Sequence, residues 1–254
     1  MDVDASVVLR ILNNERLRSA QGYVEIHDLG GVSAKISDAP LAELNCLEAF
    51  DTTDGKIEGL LDVGFSLLRA FDRDPAAYLT PLDRPKSLVR RLKARGLREV
   101  SRALTMIMPA ERALPETDGT VEVRRAAPED AQTFSTIHAG NERWVKRASL
   151  HAFQQHARDP SNAFYLGYLD GQPCGTTHLL IDGVCAGIYA VMTVRAQRGR
   201  GVATALIARA VEDARAAGCE VVFLRTNVTN EARRLFERLG FEAAFETVVW
   251  SAGG

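Results

Sequence analysis

Residues 195–201 read Arg-Ala-Gln-Arg-Gly-Arg-Gly, a short basic turn with arginines at 195, 198 and 200. An apolar run precedes the turn and a helical pattern follows it. Gly199 and Gly201 flank Arg200 where that helix would begin, so several backbone N–H groups there lack intrahelical partners and no side chain blocks an approaching ligand. The helix dipole and three guanidinium groups add positive potential at the same point. Such a terminus suits a phosphate or pyrophosphate. The alternative is a tight strand-to-helix connection with no ligand. The turn is not a Walker A loop, since no Gly-Lys-Ser/Thr follows. It is not Gly-x-Gly-x-x-Gly either, since the third glycine is missing.

The flanking elements are legible. Val191-Met192-Thr193-Val194 reads as the end of a strand. Val202, Ala203, Leu206, Ile207, Ala210, Val211 and Ala214 recur at the helical period, with Arg209, Glu212, Asp213 and Arg215 opposite. Gly218 ends that helix, and Val221-Val222-Phe223-Leu224 reads as a second strand.

Arg198-Gly199-Arg200-Gly201-Val202-Ala203 resembles the R/Q-x-x-G-x-G/A signature of the GCN5-related N-acetyltransferase (GNAT) superfamily. Asn230-Glu231-Ala232-Arg233-Arg234-Leu235-Phe236-Glu237-Arg238-Leu239-Gly240-Phe241 resembles that family's N-x-x-A-x-x-x-Y-x-x-x-G-F. The match covers roughly residues 121–252, with its signals in the family's order. The resemblance implies acetyl-coenzyme A as cofactor. Its pyrophosphate would lie on Arg198, Gly199, Arg200, Gly201, Val202, Ala203 and Thr204, and its pantetheine arm along Met192, Thr193 and Val194, with Asn230 and Phe236 beside it. It also implies direct transfer of an acetyl group to a primary amine of a small molecule or protein. One position departs from the pattern: Phe236 stands where the family often has a tyrosine, whose hydroxyl protonates the departing thiolate.

On the acceptor side the resemblance points to His138, Asn141, Glu142, Trp144, His151 and His156. Glu142 is the choice of proton acceptor, by position, because an amine must be neutral before it attacks a thioester. Tyr189 is the second catalytic candidate; it and His178 face either the reaction centre or the core. The strand from Val184 to Val194 is otherwise apolar on both faces, so base catalysis from it would need Tyr189 or a water relay.

The chain has 254 residues, 46% hydrophobic and 25% charged, with a net charge of −2, which suits a soluble protein able to bury a core and argues against a nucleic-acid binder. The acidic opening Met1-Asp2-Val3-Asp4 does not read as a signal peptide, and no apolar stretch approaches membrane-spanning length, so a cytoplasmic location is expected. Cys46, Cys174, Cys185 and Cys219 lie singly in apolar surroundings, reading as free thiols and not as metal ligands; no metal site is expected. Asp182-Gly183 is read as a two-residue hairpin turn, which would set Cys185 opposite Leu180 and Cys174 opposite Val191.

In the first hundred residues the pattern predicts a helix over 5–18, two strands within Gly22 to Ile36 joined at Leu29-Gly30-Gly31, and a helix from Ile57 to Phe71. A short strand at Ala77-Tyr78-Leu79, a helix to about Arg95 and a strand through Met108 follow. An offset of 144 residues sets Gly96 beneath Gly240, Gly55 beneath Gly199 and Gly31 beneath Gly175, with the same order of elements in both halves. The expected fold is therefore α/β with a mixed sheet, a tandem GNAT-like arrangement: a degenerate half at 1–110, a connector at 111–120 and a complete acetyltransferase domain at 121–254. In the first half Asp54 replaces Arg198, Ile57 replaces Gly201 and Glu58 stands where Val202 does. Carboxylates there would repel a pyrophosphate, so one coenzyme A per chain is expected. The chain is expected to be a monomer or homodimer. The alternatives are a coenzyme A-binding sensor with little turnover, or an unrelated binder of phosphate ligands.

Overall fold

The computed structural model describes residues 3–22, 24–117 and 119–253. Tyr23, within the first expected strand, and Asp118, within the expected connector, lie outside the described residues, as do Met1 and Asp2. The first half comprises α1 (Ala5–Gln21), β1 (Glu25–Asp28), β2 (Ser33–Ile36), β3 (Cys46–Glu48), α2 (Ile57–Ala70), β4 (Ala76–Leu79), α3 (Leu88–Ala94) and β5 (Arg98–Met108). The second comprises β6 (Glu122–Arg125), α4 (Ala131–Ala139), α5 (Arg143–His156), β7 (Asn162–Leu169), β8 (Gln172–Asp182), β9 (Cys185–Thr193), α6 (Val202–Ala216), β10 (Val221–Asn227), α7 (Ala232–Leu239) and β11 (Glu242–Ser251).

The eleven strands of the described residues join one mixed sheet, ordered β1-β2-β3-β4-β11-β5-β10-β9-β8-β7-β6. The final strand of each half crosses over: β11 lies between β4 and β5, and β5 between β11 and β10. Ala103 pairs with Thr247, and the antiparallel register on either side maps onto itself under the offset of 144. Glu242 pairs with Ile107 and, correspondingly, Ser251 with Arg98. Both strands are interrupted at equivalent places, Ala244 on β11 and Val100 on β5 being the unpaired residues.

Alternation along the strands divides the core between two faces. Val222 and Leu224 of β10 pack with α6 and with Phe236 and Leu239 of α7, while Val221 and Phe223 pack with Val8 and Ile11 of α1. The same alternation sends Leu47, Ala77 and Trp250 toward α2 and α3. Helices α2, α3, α6 and α7 therefore cover one face. On the other lie α1 and the α4–α5 pair, the latter closed over Phe164 and Leu166 by Phe134 and Phe153.

The β8–β9 hairpin corrects the expected register. Its turn residues are Gly183 and Val184, so Asp182 pairs with Cys185 and Leu180 with Gly187. Gly183 adopts φ +57° in the first turn position, the Gly-X arrangement, and Asp182 remains in the ladder. Farther along, Thr176 pairs with Met192 but His178 with Tyr189, so residues 190 and 191 oppose Thr177 alone. This bulge places Ala190 at φ +53°, and the Val194 N–H, not that of Val191, donates to the Cys174 carbonyl.

Candidate functional site

The parallel ladder between β9 and β10 runs from Cys185–Val221 to Ile188–Leu224 and ends there. Beyond it β10 continues to pair with β5 as far as Asn227–Ala103, while β9 bulges at Ala190 and follows β8. The two strands thus part at the level of Tyr189 and Arg225, and backbone groups on their facing edges lose their ladder partners.

The basic turn begins where β9 ends. Residues 195–197 form one 3-10 turn, and Gly199 and Gly201 take φ +76° and +79°, which other residues reach only at a cost. A Cβ on either glycine would meet nothing within 4 Å, so the turn faces open space. The first intrahelical bond of α6 is from Ala205 N–H to Gly201 O at 3.0 Å, leaving the preceding amides at a positively polarised terminus. Arg198 donates to the Thr193 carbonyl at 3.3 Å, and Arg200 to Gln197 at 2.6 Å and to the exposed Asp170 at 3.4 Å. One carboxylate against three arginines leaves the turn positive.

A pair of glycines seats that helix. Gly167 and Gly175 lie opposite each other on β7 and β8. A Cβ on Gly175 would come within 2.5 Å of Val202 Cγ1 and 2.8 Å of Leu206 Cδ1. The missing side chains let the first turn of α6 rest against the sheet. The Tyr165 hydroxyl donating to Asp213 at 2.6 Å fixes the other end.

Asn230 accepts from the Ala232 N–H at 2.9 Å and opens α7, whose Phe236 is 6% exposed. Both residues, with Ile188 to Met192 and Leu224 to Asn227, wall a cavity of about 940 Å³. Apart from His138 and Ala232, the remaining walls come from the first half: α1, Lys35 of β2, Glu48 of β3, Tyr78 of β4 and the segments around Glu43 and Asp83. The cavity therefore lies between the two halves, on the α1 face of the sheet.

This chamber is charged and internally paired. Arg225 lies 3.5 Å from Glu15 and 3.4 Å from Glu43 and donates to the Tyr78 hydroxyl at 2.7 Å. Burial opposes its charge, but Glu15, Tyr78 and Glu43 outweigh burial and hold its pKa well above the usual arginine value. Lys35 and Glu48, both nearly fully buried, pair at 2.7 Å. Asp83 accepts from the Phe50 and Thr80 amides; burial nonetheless raises its pKa to about 6.

Among the expected catalytic residues, Tyr189 lines the cavity at the bulge. Its hydroxyl donates to Asn14 Oδ1 at 2.8 Å, and burial pushes its pKa well above the ordinary value. Glu142 is exposed at the start of α5 and walls neither this cavity nor a smaller one of about 240 Å³ beside it. His178 is a core residue, stacked on Phe164 at 4.2 Å and bonded to Asn162; burial holds its pKa well below 6.5. His138, Trp144 and His156 line the smaller cavity. Burial, then the Arg18 charge, lowers the pKa of His138 to about 4. All four cysteines are free, and burial pushes the thiols of Cys46 and Cys185 up to about 12, far from a nucleophilic thiolate. No group of three or more His, Cys, Asp or Glu able to hold a metal occurs among the described residues. Among them, too, no helix is long and apolar enough to cross a membrane.

At residues 54–58, which the offset of 144 sets beneath the basic turn, the carboxylates are already engaged. Ser87 Oγ and Arg91 donate to Asp54, Arg91 and Arg95 to Glu58, and Arg95 to Asp62 at 2.7 Å. Hydrogen bonds from Ser87 and Arg91 to Asp54, and from Arg91 to Glu58, lower both carboxyl pKa values.

Sequence reasoning missed the first-half walls of the main cavity. The available signals were Lys35 and Glu48, charged residues inside short apolar strands, and Arg225 directly after an apolar run.

Residues 128–241 match the model of the Acetyltransferase (GNAT) family. No curated protein sequence matches the chain. Among solved structures, a GCN5-related N-acetyltransferase from Kribbella flavida superposes with a TM-score of 0.75 at 20% identity, covering 96% of this chain and 95% of its own. A GCN5-related N-acetyltransferase from Sphaerobacter thermophilus gives 0.70 at 18% identity, over 93% and 84%. A tandem GNAT protein from the clavulanic acid biosynthesis pathway gives 0.67 at 16% identity, over 95% and 88%. At these identities the likeness is one of fold.

Proposed function

We propose, from the match of residues 128–241 to the Acetyltransferase (GNAT) family model, that the protein is an acetyl-coenzyme A-dependent N-acetyltransferase acting on a primary amine bound between its two halves. The observation that carries this reading is the parting of β9 from β10 beyond Ile188 and Leu224, which opens on the central cavity, with the Arg198–Gly201 turn following the end of β9.

The residues present fit the cofactor. Gly199 and Gly201 leave the turn open, and its amides and arginines suit a pyrophosphate. Met192 walls the cavity with Asn230 and Phe236, and with Thr193 and Val194 it would offer a strand edge to an amide-bearing arm. The cofactor would supply an acyl thioester. Backbone N–H groups near the Ala190 bulge polarise the carbonyl, and the cavity walls hold the amine for attack on its carbon. With such a thioester bound, the new C–N bond would form as the C–S bond breaks, sulfur leaving with the electron pair and the nitrogen's proton passing to solvent water. Tyr189 remains protonated and acts as a fixed hydroxyl, not a base. Phe236 has no proton to give, so solvent protonates the thiolate. The raised thiol pKa values of Cys46 and Cys185 favour direct transfer over an acyl-enzyme.

On this reading the first half is a repeat that has lost its cofactor turn: Asp54 and Glu58, tied to Arg91 and Arg95, occupy the region where a phosphate would lie. Coenzyme A release from acetyl-coenzyme A with a panel of primary amines tests the activity. Tight acetyl-coenzyme A binding with no amine turned over would instead favour a sensor, the reading that Phe236 supports.

A further inference from the structure

The smaller cavity shares Arg18, Glu43, His138 and Ala190 with the central one, so it opens at the bulge where the amine would react. At about 240 Å³ it is smaller than a complete ligand site and has the size of an annex for one substituent. Its walls are mainly apolar and aromatic, with Phe134, Trp144, Ala148, Ala152 and Phe164 among them. Two buried polar atoms in those walls, His138 Nδ1 and Ser149 Oγ, have no hydrogen-bond partner. His138 is uncharged at neutral pH, so the annex does not hold a second cation there.

Arg18 stands at the junction of the two cavities. Its guanidinium lies 4.5 Å from the centre of the Tyr189 ring. The other partly buried cations of the chamber, Arg16, Lys35 and Arg225, each have a carboxylate at 4.0 Å or less. Among the described residues none lies within that distance of Arg18. Its charge instead acts on His138 and His178. A partly buried guanidinium without a carboxylate, beside the reacting position, is a fork for a ligand's anionic group.

We propose that the acceptor is an α-amino acid with a ring-sized apolar side chain. Arg18 holds its carboxylate, the Ala190 bulge receives its amine, and the annex takes its side chain. An α-amino acid places these three groups on one carbon, as the junction of the two cavities requires. The inference rests on the transferase reading for the amine's role, but its binding geometry is testable separately.

The test is calorimetric titration of L-phenylalanine, L-alanine and phenethylamine into the protein, alone and with saturating coenzyme A. L-Phenylalanine should bind, and both the amine without a carboxylate and the amino acid without a ring should bind at least about tenfold more weakly. Arg18→Met, which keeps a chain over Tyr189, and Ala148→Phe, which fills the annex, should each weaken L-phenylalanine by a similar factor with the melting temperature unchanged. Absence of L-phenylalanine binding to the wild type, or equal binding by wild type and both variants, would overturn the proposal. A parallel titration with acetyl-coenzyme A separates the two readings: its failure removes the transferase account, while the phenylalanine titration of the protein alone still reads the annex.

Discussion

Ile188 of β9 and Leu224 of β10 form the last parallel pair before the two strands diverge. Both side chains belong to the core beneath α6 and α7. One residue further along, Tyr189 and Arg225 lie on the opposite face, and all four residues border the central cavity.

Because Gly175 admits Val202 and Leu206 to the sheet, Gly175→Val should destabilise the protein by about 1–3 kcal/mol through overpacking. It should also weaken acetyl-coenzyme A by moving the start of α6. Gly59, inside α2 with open space where a Cβ would stand, is the contrast: Gly59→Ala should stabilise by about 0.5–1 kcal/mol. Denaturant unfolding and cofactor titration of both variants check the pair.

Arg225 is hemmed in by Glu15, Glu43 and Tyr78. Arg225→Met should cost about 3 kcal/mol or more, because it leaves two partly buried carboxylates without their cation. The triple variant Arg225→Met, Glu15→Gln, Glu43→Gln should recover much of that loss, as measured by urea midpoint.

Asp83 has its folded-state pKa raised from 3.8 to about 6. A raised carboxylate contributes its stability below the unfolded pKa and loses it as pH rises through the folded one. Relative to Asp83→Asn, the wild type should therefore lose about 2 kcal/mol between pH 4 and 6. Chemical denaturation of both proteins across that range tests the sign; a difference independent of pH would contradict it.

Phe236 walls the cavity from the core side, and on the proposed transferase reading it takes the place of a tyrosine hydroxyl that would protonate the departing thiolate. Phe236→Tyr should raise kcat by up to about tenfold without a matching change in the KM for acetyl-coenzyme A, since a proton donor acts on the transition state. Steady-state kinetics with an amine that is turned over will show it.

How much of this was legible depended on whether the signal was local. The basic turn and the α6 stripe are contiguous and marked by their spacing, and the α7 motif, also contiguous, by its resemblance to the family pattern. The offset of 144 was visible because glycines at 31, 55 and 96 punctuate the first half as 175, 199 and 240 do the second. The hairpin register was misjudged because Asp182-Gly183 resembles a type I′ turn, whereas the chain turns at Gly183-Val184. The Ala190 bulge left no trace, since a non-glycine residue holds its positive φ. The three-residue β3 was too short to show a period. The central cavity gathers Glu15, Lys35, Glu48 and Arg225 from strands and helices more than two hundred residues apart, and only the fold brings them together.

The most direct test of the account is calorimetric titration of acetyl-coenzyme A into the wild type, with Gly201→Glu as comparison. The account predicts one site per chain, lost in the variant, whose carboxylate would stand at the open face of the turn. No binding to the wild type, two sites per chain, or undiminished binding to Gly201→Glu would contradict it.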